Sequence, residues 1–92
     1  MRETMNLIQI SKILDLNSNT VRTYLGNYRF SKYITKIKDG ARTKEVYKFN
    51  KSFIKELSQF LYLRQNFDAL KLLTKFCESN MRILDYEEDF NA

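Results

Sequence analysis

The feature that most restricts the fold of this chain is the scarcity of residues that interrupt helices. The sequence of 92 residues contains no proline and two glycines, Gly26 and Gly40. Since proline and glycine most often mark turns and helix ends, this composition favours long helices joined by few loops. The content of 43% apolar and 14% aromatic residues is typical of a folded chain, and the length predicts one domain with a modest core.

Two short helices separated by a tight turn are predicted near the start of the chain. The first has apolar residues at helical spacing, namely Leu7, Ile10 and Leu14. Asn6 can cap this helix, and Asn17 can cap a second helix over residues 18–25. Gly26 then stands where helices commonly end in a left-handed residue. Two short helices with a turn over residues 15–17 between them form the basic unit of a helix-turn-helix.

A β-hairpin and C-terminal helices are predicted to follow. Over residues 34–49 the apolar pattern changes to period two, with an Asp-Gly dipeptide at 39–40 as the hairpin tip. Asn50 can cap a third helix. Residues 53–84 have a heptad-like apolar seam and a second apolar set beside it, which predicts one face packed on the N-terminal unit and the other on a partner. The sequence leaves open whether this segment is one helix or two, although a break near Asn66 is favoured because asparagine caps helices.

Positive charge is concentrated in the middle of the chain. Between Arg22 and Lys55 there are ten lysines and arginines and two carboxylates, whereas residues 85–92 carry four carboxylates and no cation. The overall formal charge of +5 therefore understates how basic the central segment is. Such a segment neutralises phosphates, and the released counterions supply affinity for nucleic acid that does not depend on base sequence.

Two residue types that often serve in catalytic and metal sites are absent or nearly absent from the chain. The sequence has no histidine and one cysteine, Cys77, so histidine acid–base chemistry, an internal disulfide and a cysteine-based zinc site are excluded. It contains no glycine-rich phosphate loop and no nucleophile–base pair. We therefore expect no enzyme activity, no metal and no cofactor. No apolar run approaches a membrane span and no signal peptide opens the chain, which favours a cytoplasmic protein, either nucleoid-associated or viral.

Several residues between the first predicted helix and the third occur in an order and spacing that are found in a known family. They are the small residue Ser11, the apolar pair Leu14 and Leu16, the cap Asn17, the triplet Thr20-Val21-Arg22, and Phe49-Asn50, Phe53-Ile54 and Leu57 after the hairpin. In this order, residues 6–61 resemble MerR-type and phage excisionase-type winged helix-turn-helix proteins. Asp15 stands where that family usually has glycine, which is acceptable because aspartate visits the left-handed region more readily than most residues. Without a cysteine array, the metal-sensing role of some MerR proteins does not carry over.

The resemblance implies a fold class that is mainly α with a small β-hairpin, a winged helix-turn-helix followed by C-terminal helices. The expected organisation is a DNA-binding unit over residues 1–61 and a helical dimerisation or packing segment over residues 62–84, within one compact domain. An acidic tail over residues 85–92 completes the chain. The tail is expected to be a soluble end, a docking peptide or an internal competitor for the basic segment.

The second helix and the hairpin carry the candidate residues for binding double-stranded DNA. On the helix, Asn19 and Thr23 are predicted to point toward a major groove, with Arg22 at the flank. Ser18 and Thr20 suit a backbone phosphate at the helix start. The predicted wing contacts are the cations Lys36, Lys38, Arg42 and Lys44. The arginine among them is the preferred reader of a narrow minor groove.

A homodimer is expected to form through the apolar seam. Its predicted interface residues are Phe60, Leu63, Phe67, Leu70 and Cys77. We therefore predict a small dimeric transcriptional regulator, a repressor or autoregulator, that binds paired DNA half-sites. Two alternatives stay open. One is an excisionase-like or partition-type architectural factor that coats and bends DNA, and the other is a protein-interaction module, such as an antitoxin or phage adaptor, that uses the seam or the acidic tail.

Overall fold

The structure, a computed structural model, describes residues 4–79 as a small domain with both helices and strands. Its elements in chain order are β1 (Thr4–Asn6), α1 (Leu7–Leu14), α2 (Ser18–Leu25), a 3₁₀ helix (Tyr28–Tyr33), β2 (Ile34–Asp39), β3 (Arg42–Lys48), α3 (Lys51–Leu63) and α4 (Phe67–Ser79). Helices predominate, and the strands form a three-stranded antiparallel sheet in the order β1-β3-β2. The predicted acidic tail lies outside the described residues.

The sheet differs from the predicted small hairpin. β2 and β3 form that hairpin, but β1 pairs with the other edge of β3, with Met5 opposite Tyr47. The prediction of two strands was therefore wrong. A strand of three residues is too short to show an alternating pattern, and it exists because β3 offers a free edge. The additional strand ties the start of the chain to the hairpin.

The hairpin turn lies one residue later than predicted. Asp39 pairs with Arg42 across the ladder, so the loop is Gly40-Ala41. Gly40 has a φ of 68°, and Ala41 is not among the residues with positive φ. Positive φ at the first loop residue alone is the pattern of a type II′ turn, which prefers glycine there. The glycine therefore forms the turn, and the aspartate ends β2.

The predicted helix caps are confirmed, but one predicted helix end is not. The caps are Asn6 for α1, Asn17 for α2 and Asn50 for α3. Asp15 takes the left-handed conformation that ends α1, with a φ of 53°. Gly26 does not, because its φ is −76°. The chain passes directly into Asn27, which caps the 3₁₀ helix, so no left-handed reversal is needed at the glycine.

Replacing Asn50 by alanine is expected to lower the free energy of unfolding by about 1 kcal/mol. The Asn50 side-chain oxygen accepts a hydrogen bond from the amide of Phe53 at 2.9 Å, and alanine cannot replace it. Ser52→Ala, in the same turn and exposed, is the control and should change stability by less than about 0.5 kcal/mol. Urea unfolding followed by circular dichroism measures both. Equal stability of the two variants would show that this cap contributes nothing.

An aromatic cluster forms the centre of the core. The ring of Phe53 on α3 is fully buried and contacts four others. Its centroid lies 5.4 Å from that of Tyr33, 5.7 Å from Phe49, 5.8 Å from Phe30 and 6.4 Å from Tyr47. These partners belong to the 3₁₀ helix, to β3 and to the segment that follows β3, so one ring joins the helices to the sheet. Tyr28, the first residue of the 3₁₀ helix, is by contrast 83% exposed.

Within the described residues, the C-terminal segment consists of two helices, as the favoured interpretation of the sequence predicted. Residues 80–84, the end of the predicted seam, lie outside the described residues. α3 and α4 are separated by residues 64–66, where Gln65 has a φ of 60°. Asn66 accepts a hydrogen bond from the amide of Ala69 at 3.4 Å at the start of α4. α4 then packs against α1 and adds Ala69 and Leu73 to the core. One core therefore includes helices that precede the hairpin in the sequence and helices that follow it.

Candidate nucleic-acid interface

The exposed side of α2 carries three of the predicted recognition residues. Val21 and Leu25 are fully buried and hold the helix on the core. Asn19, Arg22 and Thr23 are exposed. Arg22 Nη1 donates to Asn19 Oδ1 at 3.0 Å, which orients the guanidinium and leaves the Asn19 side-chain NH₂ group as a donor. The Thr23 hydroxyl donates to the backbone carbonyl of Asn19 at 3.0 Å, so it retains its capacity to accept.

The start of α2 is less accessible than its exposed side. Ser18 and Thr20 are half-buried. The Asn17 side chain accepts from the amide of Asn19 at 2.8 Å, so that amide is already used by the cap. The predicted phosphate contact at this helix start therefore depends on the two hydroxyls and on the other amides of the first turn.

The four predicted wing cations lie on two faces of the hairpin. Directly opposite residues of an antiparallel pair point to the same face, and successive residues alternate. Lys36 lies opposite Glu45, and Lys38 lies opposite Thr43, so these four residues share one face, here called the inner face. The outer face carries Thr35, Ile37, Arg42, Lys44 and Val46. All four wing cations are exposed. A ligand that contacts only one face of the hairpin, however, reaches only two of them.

The inner face of the hairpin borders a groove that α2 also lines. The groove has a volume of about 400 Å³ and is lined by Leu7, Arg22, Lys36, Thr43, Glu45 and Tyr47. Burial and the Glu45 carboxylate raise the pKa of Tyr47, while Arg22 opposes this shift. Both charges therefore act on the same phenolic group. Arg22 and Lys36 therefore lie on one surface, here called the α2–hairpin surface. On its α2 side are Asn19 and Thr23, which are hydrogen-bonded neighbours on that helix, and on its hairpin side is Lys38, which shares the inner face with Lys36.

Other cations of the central segment have neighbours within the fold. Arg29 Nε lies 3.8 Å from Glu56 Oε1, and Lys32 Nζ lies 5.4 Å from the centre of the Tyr33 ring. Such partly exposed pairs stabilise a fold by about 1 kcal/mol at most. Of these two cations, Arg29 has a carboxylate partner, so part of its charge is balanced within the fold.

The predicted dimer seam does not form one face. Phe60 is 5% exposed and belongs to the core, and Leu70 and Cys77 are partly buried against it. By contrast, Leu63 is 67% exposed and Phe67 is 53% exposed. The prediction of a continuous seam was wrong. The break between α3 and α4 turns the chain and separates residues that one long helix would align.

An exposed apolar patch lies at the junction of α3 and α4. It consists of Tyr62, Leu63 and Phe67 and is here called the junction patch. The rings of Tyr62 and Phe67 meet edge to face with their centroids 5.8 Å apart. A shallow groove beside them is lined by Ser58, Gln59, Tyr62, Leu63 and Leu70. Exposed apolar surface that is clustered in this way favours contact with another protein.

Residues 4–79 contain one free cysteine and no cluster of side chains suited to hold a metal ion. Burial raises the pKa of the Cys77 thiol, which lowers its thiolate fraction at neutral pH and makes it a weak nucleophile. No group of three or more potential metal-ligating side chains occurs in this part of the chain. None of its helices is both long enough and apolar enough to cross a bilayer.

Comparison of the chain with protein-family models, with curated proteins and with solved structures gave no match. The similarity to winged helix-turn-helix proteins therefore stays a prediction from the residues.

Three hairpin residues of the groove were not predicted as site residues from the sequence: Thr43, Glu45 and Tyr47. The signal that identifies them is the strand register. With Gly40-Ala41 as the loop, counting outward from the turn assigns each residue of β2 and β3 to a face. The predicted tip at 39–40 is one residue too early, which alters every pairing in the hairpin.

Proposed function

We propose that this protein is a winged helix-turn-helix protein that binds double-stranded DNA, with α2 in the major groove and the hairpin on the adjacent backbone or minor groove. The observation that carries the proposal is that Arg22 of α2 and Lys36 of the hairpin line the same groove. Cations from two elements on one surface suit phosphates on both sides of a DNA groove. Asn19, beside Arg22, supplies an exposed amide of the type that reads base edges.

The shape of this surface favours duplex DNA over RNA. α2 is a short helix whose buried side is apolar and whose exposed side is polar. The major groove of B-form DNA is wide enough for a helix, whereas the major groove of A-form RNA is too deep and narrow for its side chains to reach the bases. We therefore expect α2 to bind duplex DNA, with Lys36 and Lys38 of the inner face contacting phosphates.

Fluorescence anisotropy with random-sequence duplex DNA at two salt concentrations, beside single-stranded RNA of equal charge, tests the proposal. We expect tight, steeply salt-dependent binding that favours the duplex. Arg22→Ala should weaken that binding, whereas Lys75→Ala, which removes the same charge from an exposed site on α4, should not. Failure to bind duplex at low salt, or equal loss in both variants, would contradict the proposed surface.

A role as a transcriptional regulator at paired half-sites requires a dimer. The proposed dimer interface is the junction patch. A closed two-fold dimer places two copies of α2 on paired half-sites, which suits a repressor or autoregulator. Copies joined head to tail along the DNA would favour the architectural alternative instead. The mass of the complex on DNA of increasing length separates the two: a regulator stops at a fixed stoichiometry, and an architectural protein continues to add copies.

Phe67→Glu is expected to convert the dimer into a folded monomer. Phe67 is 53% exposed and opens α4, where a carboxylate is tolerated at a helix start, so the fold should survive. A charge in a desolvated apolar contact between two copies should prevent association. Sedimentation velocity measures the mass, and circular dichroism verifies the fold. Ile8→Glu, at an exposed apolar residue of α1 (59%), is the control; a Phe67→Glu dimer of unchanged mass would locate the interface elsewhere.

A further inference from the structure

We propose that Glu45 is a specificity-determining residue of the DNA surface. Its carboxylate weakens binding to arbitrary sequence and favours DNA that presents a base amino group, such as N4 of cytosine, to the groove between α2 and the hairpin. This inference rests on the proposed function.

The position of Glu45 is unusual for a carboxylate on a phosphate-binding surface. It lies directly opposite Lys36 in the β2–β3 ladder and lines the same groove as Arg22. Paired residues in such a ladder have Cβ atoms about 5 Å apart. The negative charge therefore lies in the groove that Arg22 of α2 also lines, beside a lysine that would contact the DNA backbone.

The Glu45 carboxylate is available to a ligand. It is exposed, and within residues 4–79 it forms no ion pair shorter than 4.0 Å and no side-chain hydrogen bond. The other described glutamate with a nearby cation, Glu56, lies 3.8 Å from Arg29. A structural role as an ion-pair partner therefore explains Glu56 but does not explain Glu45.

The chemistry of an ionised carboxylate determines what this groove accepts. A carboxylate has only acceptor oxygens, so it repels a phosphate and binds a donor. Among base edges, the amino group of cytosine is the donor that carboxylates contact in the major groove. DNA that brings a phosphate or a carbonyl to Glu45 therefore binds less tightly, while DNA that brings an amino group gains a hydrogen bond. Lys36 and Arg22 keep the surface attractive to the neighbouring phosphates.

Glu45→Gln provides the test, because glutamine keeps the size of the side chain and removes its charge. Glu78→Gln is the matched control, since Glu78 is exposed on α4 and loses the same charge. Anisotropy on random duplex DNA measures sequence-independent affinity. Selection from a randomised duplex library, carried out for the wild-type protein and both variants, measures base preference.

We expect Glu45→Gln to bind random duplex about three- to tenfold more tightly than Glu78→Gln at low salt. We also expect the selected sites to lose a cytosine preference at one position that the wild type and Glu78→Gln retain. Equal affinity of the two variants, or unchanged selected sites, would overturn the assignment of Glu45. A wild-type protein that does not bind duplex at all would instead contradict the proposed function.

Discussion

Phe53→Ala is expected to lower the free energy of unfolding by about 3–5 kcal/mol. The Phe53 ring is fully buried and meets four other aromatic rings, so alanine removes apolar contacts on several sides and leaves a cavity. Two of these partners, Tyr33 and Phe30, contribute edge-to-face contacts that add to the burial energy. A domain of this size has a total stability of about 5–15 kcal/mol, so the loss is a large share of it.

Urea unfolding monitored by circular dichroism measures this effect. Tyr28→Ala is the control, because Tyr28 is 83% exposed and should change stability by less than about 0.5 kcal/mol. If Phe53→Ala does not fold, Phe53→Leu retains part of the buried volume and should show a smaller, measurable loss. A stability change for Phe53→Leu no larger than that of Tyr28→Ala would contradict the central position of this ring.

Replacing Lys36 and Lys38 together by alanine is expected to weaken duplex binding about ten- to a hundredfold near 0.1 M salt. Both residues lie on the inner face, which shares a groove with Arg22. If each lysine neutralises one phosphate, the plot of log affinity against log salt should become shallower by about two units. The loss should be similar for every DNA sequence, because phosphate contacts carry no base information.

The pair Arg42→Ala and Lys44→Ala is the matched comparison, since it removes the same charge from the outer face. The sequence favoured Arg42 as the groove reader, whereas the register favours the inner face. We expect the inner-face pair to lose more affinity than the outer-face pair. Equal losses would indicate that the hairpin enters a groove with both faces in contact, and a larger loss in the outer-face pair would show that the hairpin approaches DNA from the other side.

The candidate site was only partly predictable from the sequence. The exposed residues Asn19, Arg22 and Thr23 followed from helical spacing, because Val21 and Leu25 must face the core. The wing cations were predicted as one set, since the count of lysines and arginines is a property of composition. A two-residue loop at 39–40 or at 40–41 places Lys36 and Lys38 on one face and Arg42 and Lys44 on the other. Which of these faces lies beside α2 is decided by tertiary packing, which the alternation of residues along a strand does not give.

The C-terminal segment shows the same limit. Apolar residues at heptad spacing predict a stripe only if the helix is continuous. Asn66 signalled a break, but the sequence did not say in which direction α4 would leave. Its return to α1 buries Ala69 and Leu73 and leaves Leu63 and Phe67 exposed. The surface available to a partner was therefore not visible in the linear pattern.

The sequence by itself determined α1, α2, the start of α3, the asparagine caps of these helices and the presence of a glycine turn, because each depends on contacts within a few residues along the chain. The tertiary structure decided which strand pairs with β3, which hairpin cations face α2 and which apolar residues stay exposed. These outcomes depend on segments far apart in sequence, such as Met5 against Tyr47 and α4 against α1. Local patterns do not specify such pairings, because many partners satisfy the same apolar face and only the packing of the whole core selects one.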